Sequence, residues 1–305
     1  MHDFQGKRFL FVTGKGGVGK TTTCAAAALA LAQRGKRVLV CMCNAKERLS
    51  VMLGTDGIGD EVRPVLPNVW AVNIEPERAL DEYGAMVLRS KTLASLLFDN
   101  QIARAFFRAV PGMPEWTMLG KAWWHTTETW PDGSLKYDVV ILDAPATGHG
   151  LDMLRVPKVI LDVAKSGLLR RDAERAYRFF QDTQECAVVL VTLPEEMPAT
   201  ETLELARALE GELSIPVSRL VVNCMLPPLF SMEERRALEA MEPISDDSPV
   251  GAVLLSSRNR ATRERIQAEA LTRLAAELPR PTTVLPLLFD EGAQPSAIRE
   301  LARRL

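Results

Sequence analysis

The stretch GKGGVGKT (14–21) constrains this chain more than any other. It stands between an apolar strand candidate, RFLFVT (8–13), and a long helical run, KTTTCAAAALALAQRG (20–35). The pattern G-x-x-x-x-G-K-[ST] in a strand–loop–helix setting reads as a phosphate-binding loop. Gly14, Gly16, Gly17 and Gly19, with Val18 among them, let backbone N–H groups approach phosphate oxygens, and the helix N-terminus adds a favourable dipole. Lys20 is placed to neutralise the β- and γ-phosphates of a nucleotide, Thr21 to offer its hydroxyl to Mg2+, and Thr22 to close the loop. Lys15 is surplus to that task. It is a second lysine, set between two glycines near the start of the loop.

The rest of the chain alternates. Apolar runs at 8–13, 36–42, 69–74, 137–143, 186–192, 217–223 and 282–288 are continuous rather than alternating, as parallel strands covered on both faces require. Helical stretches separate them, including ATETLELARALEGEL (199–213). The expectation is an α/β fold, a doubly wound and mostly parallel sheet of the P-loop type, as one domain over 1–305. Residues 77–130 break the rhythm and predict a helical subdomain. They hold Trp116, Trp123, Trp124 and Trp130, with Phe98, Phe106, Phe107, Leu93, Leu96 and Leu97. The formal net charge of −2 gives no bias toward nucleic acid or an anionic membrane, and none is expected as a partner. No apolar run reaches the roughly 18–20 residues of a transmembrane helix. Five cysteines without a CxxC pair, and no signal-peptide layout, predict a reduced, cytoplasmic protein.

KGGVGKTT resembles the deviant Walker A loop of ATPases that work as face-to-face dimers. That class includes the arsenite-pump and tail-anchored-protein-targeting ATPases, the ParA/MinD proteins and nitrogenase iron protein. The resemblance implies that Lys15 reaches the nucleotide of a partner subunit; the plainer reading is a solvated loop lysine. YDVVILDAPATGHG (137–150) resembles the second switch of the arsenite-pump and tail-anchored-targeting branch. By that likeness Asp143 holds a Mg2+-bound water, Pro145 and Gly148 shape a movable loop, and Thr147 and His149 make its polar contacts. VVNCMLPP (221–228) and LPLLFDEG (285–292) resemble the family's base-binding segments, which implies Asn223 hydrogen-bonded to adenine and Pro286 and Leu287 packed on its face. ATP and Mg2+ are the implied cofactors. A homodimer, or a heterodimer with a related ATPase, is the implied assembly, and the helical subdomain is the implied site for a hydrophobic or protein client.

The resemblance fails at one place. The family's first switch reads approximately TDPAHNLSDAF, whereas CNAKERLSVML (43–53) puts Asn44 where the family has its water-activating aspartate. An amide cannot accept a proton as a carboxylate does. Weak or absent hydrolysis follows, unless Glu47 substitutes. Cys41 and Cys43 share one face of an apolar strand and read as core thiols before metal ligands. The C-terminal SAIRELARRL (296–305) reads as a helix docked on the sheet before a membrane anchor. The leading expectation is an ATP-binding dimeric switch. A fully active ATPase chaperone or transporter-energising subunit is the first alternative, and a ParA/MinD-like positioning protein the second.

Overall fold

The computed structural model describes residues 4, 6–87, 112–241, 248–289 and 294–305. Its helices are numbered here in chain order among those residues. The chain runs β1 (Phe9–Thr13), α1 (Lys20–Ala32), β2 (Val38–Cys43), α2 (Leu49–Leu53), β3 (Arg63–Leu66), β4 (Val69–Ile74) and α3 (Pro76–Val87). It resumes with α4 (Met113–Trp124), a 3-10 turn at His125–Thr127, β5 (Val139–Asp143), α5 (Thr147–Val163), α6 (Leu168–Gln181) and β6 (Cys186–Thr192). The last third holds α7 (Glu196–Glu212), β7 (Val217–Met225), α8 (Met232–Ala240), α9 (Pro249–Glu277), β8 (Thr282–Pro286) and α10 (Pro295–Arg304).

Eight strands form one sheet in the order β3-β4-β2-β5-β1-β6-β7-β8. Every pairing is parallel except β3 with β4. The α/β expectation holds, with one strand added. Arg63–Leu66 carries Pro64 and precedes Pro67, so its sequence reads as a loop; at the sheet edge a missing N–H costs little, and a short antiparallel strand forms there.

Side chains alternate between two buried layers. Phe9, Phe11, Leu39, Cys41 and Cys43 face one core together with residues of α3 to α7. Leu10, Val12, Val38, Val40 and Met42 face the other, against α1, α2 and α10. Cys41 and Cys43 do share one face, and burial pushes both thiols well above their ordinary values. They are core thiols.

Of the expected helical subdomain, α3 and α4 are described, while Leu93, Leu96, Leu97, Phe98, Phe106 and Phe107 lie outside the described residues. Trp116 is fully buried and Trp123 packs on the core, whereas Trp124 and Trp130 are 40% and 44% exposed. Among the described residues no helix is long and apolar enough to cross a membrane.

The C-terminal helix has an amphipathic period. Ala297, Ile298, Leu301, Ala302 and Leu305 are buried in the layer that α1 also lines, while Arg303 and Arg304 face outward. Its apolar stripe is therefore satisfied within the chain. Leu301→Ala should lower unfolding stability by about 2–5 kcal/mol, the range for truncating a buried leucine. Urea unfolding measures it. A change within about 0.5 kcal/mol, the level of an ordinary surface substitution, would show that α10 is not docked in solution.

Candidate active site

Parallel topology brings the carboxyl ends of the central strands to one edge, and the predicted residues gather there. β1 lies between β5 and β6, so the loop Gly14–Gly19 emerges at the middle of the sheet. Gly14 has φ 151°, and a Cβ on it would lie 2.1 Å from the Val191 carbonyl oxygen of β6. Gly19 has φ 93°, and a Cβ there would meet Asn223 Nδ2 at 2.2 Å. Only glycine permits this loop to lie flat against its neighbours.

Lys20, the first residue of α1, curls back over the loop. Its Nζ donates to the carbonyl oxygens of Gly14 at 3.1 Å and Lys15 at 3.0 Å. Thr21 Oγ1 donates to Asp143 Oδ2 at 2.6 Å. Asp143 ends β5, and its register with β1 sets it opposite Val12. Burial pushes the Asp143 carboxyl up, against the opposing pull of the Thr21 hydroxyl and the Lys20 ammonium. Burial lowers the Lys20 ammonium in turn, with Asp143 pulling the other way. Thr22 turns its hydroxyl toward Met52 Sδ at 4.0 Å.

Such a donor set fits a nucleotide with a hard divalent cation. The loop presents glycine backbone at a helix N-terminus with one ammonium over it, and a carboxylate and a hydroxyl are held together beside it. Burial disfavours the Asp143 carboxylate, and a Mg2+ ion beside it would favour the charged form.

The side expected to take the base is built from β7 and β8. Asn223 is buried, and its Nδ2 donates to the Val18 carbonyl at 2.9 Å, so it braces the phosphate loop. Leu287 N donates to Met225 O at 2.8 Å and draws the segment after Pro286 against the end of β7. Leu287 also lines an open cleft of about 500 Å3 with Leu288, Phe289, Ser296 and Arg299. Sequence reasoning missed the struts under this region. Gln267 of α9 accepts from Leu226 N at 2.8 Å and donates to Cys224 O at 3.3 Å, and Glu264 accepts from Leu229 N at 3.0 Å. These partners lie more than thirty residues apart in sequence, beyond the reach of local pattern.

The two switch segments differ from expectation in form. Asn44 is exposed two residues past the pairing of Met42 with Asp143, in a left-handed conformation at φ 44°. Asn73 pins the next residue, accepting from Ala45 N at 3.1 Å and donating to Ala45 O at 2.9 Å. Glu47 is occupied elsewhere. Its carboxylate accepts from Ser50 N at 2.7 Å and Ser50 Oγ at 2.6 Å at the start of α2.

After β5, Thr147, Gly148 and His149 form the first turn of α5 rather than a loop. The glycines of this stretch read as a loop, but Gly148 has open space around it and lies in a helical turn. Gly150 is the tight one, since a Cβ on it would lie 2.6 Å from Thr13 Oγ1 and 3.0 Å from the Pro145 carbonyl oxygen. His149 is exposed, with Nδ1 3.6 Å from Glu115 Oε1 of α4. Lys15 points to α7, where Glu201 Oε1 lies 2.5 Å from its Nζ.

Residues 7–170 match the family described as anion-transporting ATPase. The chain belongs to that family. Across nearly its whole length the chain is similar to ATPase BagA of Mycobacterium tuberculosis, 27% identical over 98% of this chain and 93% of that protein. The arsenical pump-driving ATPase of Acidiphilium multivorum is 27% identical over 97% of this chain but 54% of its own length. ATPase GET3B of Arabidopsis thaliana is 25% identical over 82% of this chain and 73% of its own.

The buried Asp143 gives a pH test. Its folded pKa is raised above the unfolded value, so the protonated form is favoured on folding, and stability is lost as pH rises through the raised value. In protein stripped of nucleotide and divalent ions, Asp143→Asn should melt higher than the wild type near neutral pH. The gap should shrink toward zero below the ordinary carboxylate range. Thermal melts across pH measure it, and a gap that grew toward acid would contradict the desolvated carboxylate.

Proposed function

We propose that this anion-transporting ATPase family member is an ATP- and Mg2+-binding switch that closes by pairing with a second copy or a related ATPase, and that it turns ATP over slowly. The observation that carries the reading is the Thr21–Asp143 hydrogen bond at 2.6 Å beside Lys20, at the carboxyl ends of the central strands. Lys20 and the loop N–H groups of Gly14 to Gly19 hold the phosphates. Thr21 and Asp143 would hold the cation. Asn223, Pro286 and Leu287 take the base. When bound, the cation draws charge from the phosphates; the chain's own residues position and screen. Lys15 adds positive charge to the phosphates of the other subunit, in the manner of an arginine finger.

Slow turnover follows from Asn44. Glu47 does not replace it, because its carboxylate already accepts from Ser50 at the start of α2. Pro145, Thr147, Gly148 and His149 then form the element that responds to the γ-phosphate, packed on Thr13 through Gly150. The fully active alternative has no structural support from Glu47, and nothing specific favours a ParA/MinD-like role.

Asn44→Asp tests this cleanly, because aspartate tolerates the left-handed backbone at φ 44° as asparagine does. It should raise Mg2+-ATP turnover by about 10²–10⁴, the usual worth of a general base, with ATP affinity little changed. Wild-type turnover already equal to that of Asn44→Asp would show that another group activates the water.

A further inference from the structure

Lys15 is not a free loop lysine. Its ammonium lies 2.5 Å from Glu201 Oε1, and the two side chains are 35% and 28% exposed. The two partners differ in rigidity. Glu201 sits in the second turn of α7, a helix anchored by buried Thr202, Leu203, Leu205 and Ala206, and its neighbour Thr200 accepts from Arg273 Nη1 of α9 at 2.9 Å. Lys15 sits between Gly14 at φ 151° and the Gly16–Gly17 pair, with Gly17 at φ 84°. The carboxylate stands on a packed helix, and the lysine stands in a glycine-rich loop.

We infer that Glu201 is a positioning residue that holds Lys15 within its own subunit and so opposes pairing until nucleotide binds. The inference rests on the proposed pairing around ATP. The structure supplies a link between the two lysines of the loop. Lys20 Nζ holds the carbonyl oxygen of Lys15 while Glu201 holds its side chain, so Lys15 is tied at both ends. Phosphates drawing Lys20 to themselves release the backbone tie first. The side chain then exchanges one anionic partner, Glu201, for another, the phosphates on the partner subunit. Charge is conserved at Lys15 throughout. Glu201 returns to solvent, which its partial exposure permits at small cost.

An ion pair of this exposure opposes release by about twofold to fivefold. A symmetric dimer breaks two of them, so pairing is held back by about fourfold to twenty-fivefold. Such a restraint is weak enough for nucleotide to overcome and large enough to measure. It is also electrostatic, and salt should weaken it.

The test is sedimentation of the full chain with Mg2+ and a slowly hydrolysed ATP analogue, comparing wild type, Glu201→Gln and Glu201→Asp. Glu201→Gln should pair at a protein concentration lower by about fourfold to twenty-fivefold at low salt. The gap should close as salt rises, and Glu201→Asp should stay near the wild type. A Glu201→Gln midpoint equal to or higher than that of the wild type overturns the inference and leaves the proposed function standing. A salt-independent gap also overturns it, because a packing change on α7 would behave that way. Absence of nucleotide-dependent pairing in all three proteins removes both the inference and the switch on which it rests.

Discussion

Two opposite charges, a half-buried Lys20 and a buried Asp143, meet at the carboxyl edge of the sheet, and desolvation disfavours both. Everything around them manages that cost. β1 is centred between β5 and β6 so that loop and carboxylate emerge side by side. Thr21 bridges the two elements with a single short hydrogen bond. Lys20 bends back onto its own loop's carbonyls, a partner weaker than a phosphate. A folded chain that keeps poorly compensated charges in one cleft is storing affinity for a ligand that carries the missing partners.

The loops beside the site are held in constrained conformations. Asn44 is held in a left-handed conformation at φ 44°, with Ala45 pinned by both polar atoms of Asn73. Gly150 brings the first turn of α5 against Thr13, whose Oγ1 is buried without a hydrogen-bond partner. Both segments leave the ends of strands that flank or form the centre of the sheet, β2 and β5. Struts from Gln267 and Glu264 of α9 likewise fix the turn after β7.

Much of this was legible in the sequence because its signals are local. Continuous apolar runs marked seven strands, glycine spacing marked the phosphate loop, and the end of an apolar run marked Asp143. Three features were not local. β3 was hidden by Pro64, which an edge strand tolerates. The start of α5 was hidden because Pro145, Gly148 and Gly150 together read as loop, while the structure uses one glycine for close packing and leaves another in the helix. Glu201 was hidden because its partner lies 186 residues away, and on α7 it is one more polar position of an amphipathic helix. Pairing across a parallel sheet is decided by topology, which residue spacing does not encode.

The central claim is that one subunit's Lys15 serves the nucleotide held by another subunit's Lys20. The direct measurement is complementation between two defective chains, Lys15→Ala and Lys20→Ala. The first keeps its own phosphate lysine, and the second can still lend Lys15. Release of labelled ATP from Lys15→Ala should slow when excess Lys20→Ala is added, and should not slow with a chain carrying both substitutions. Equal release rates in the presence of either partner would contradict a lysine that acts across the interface.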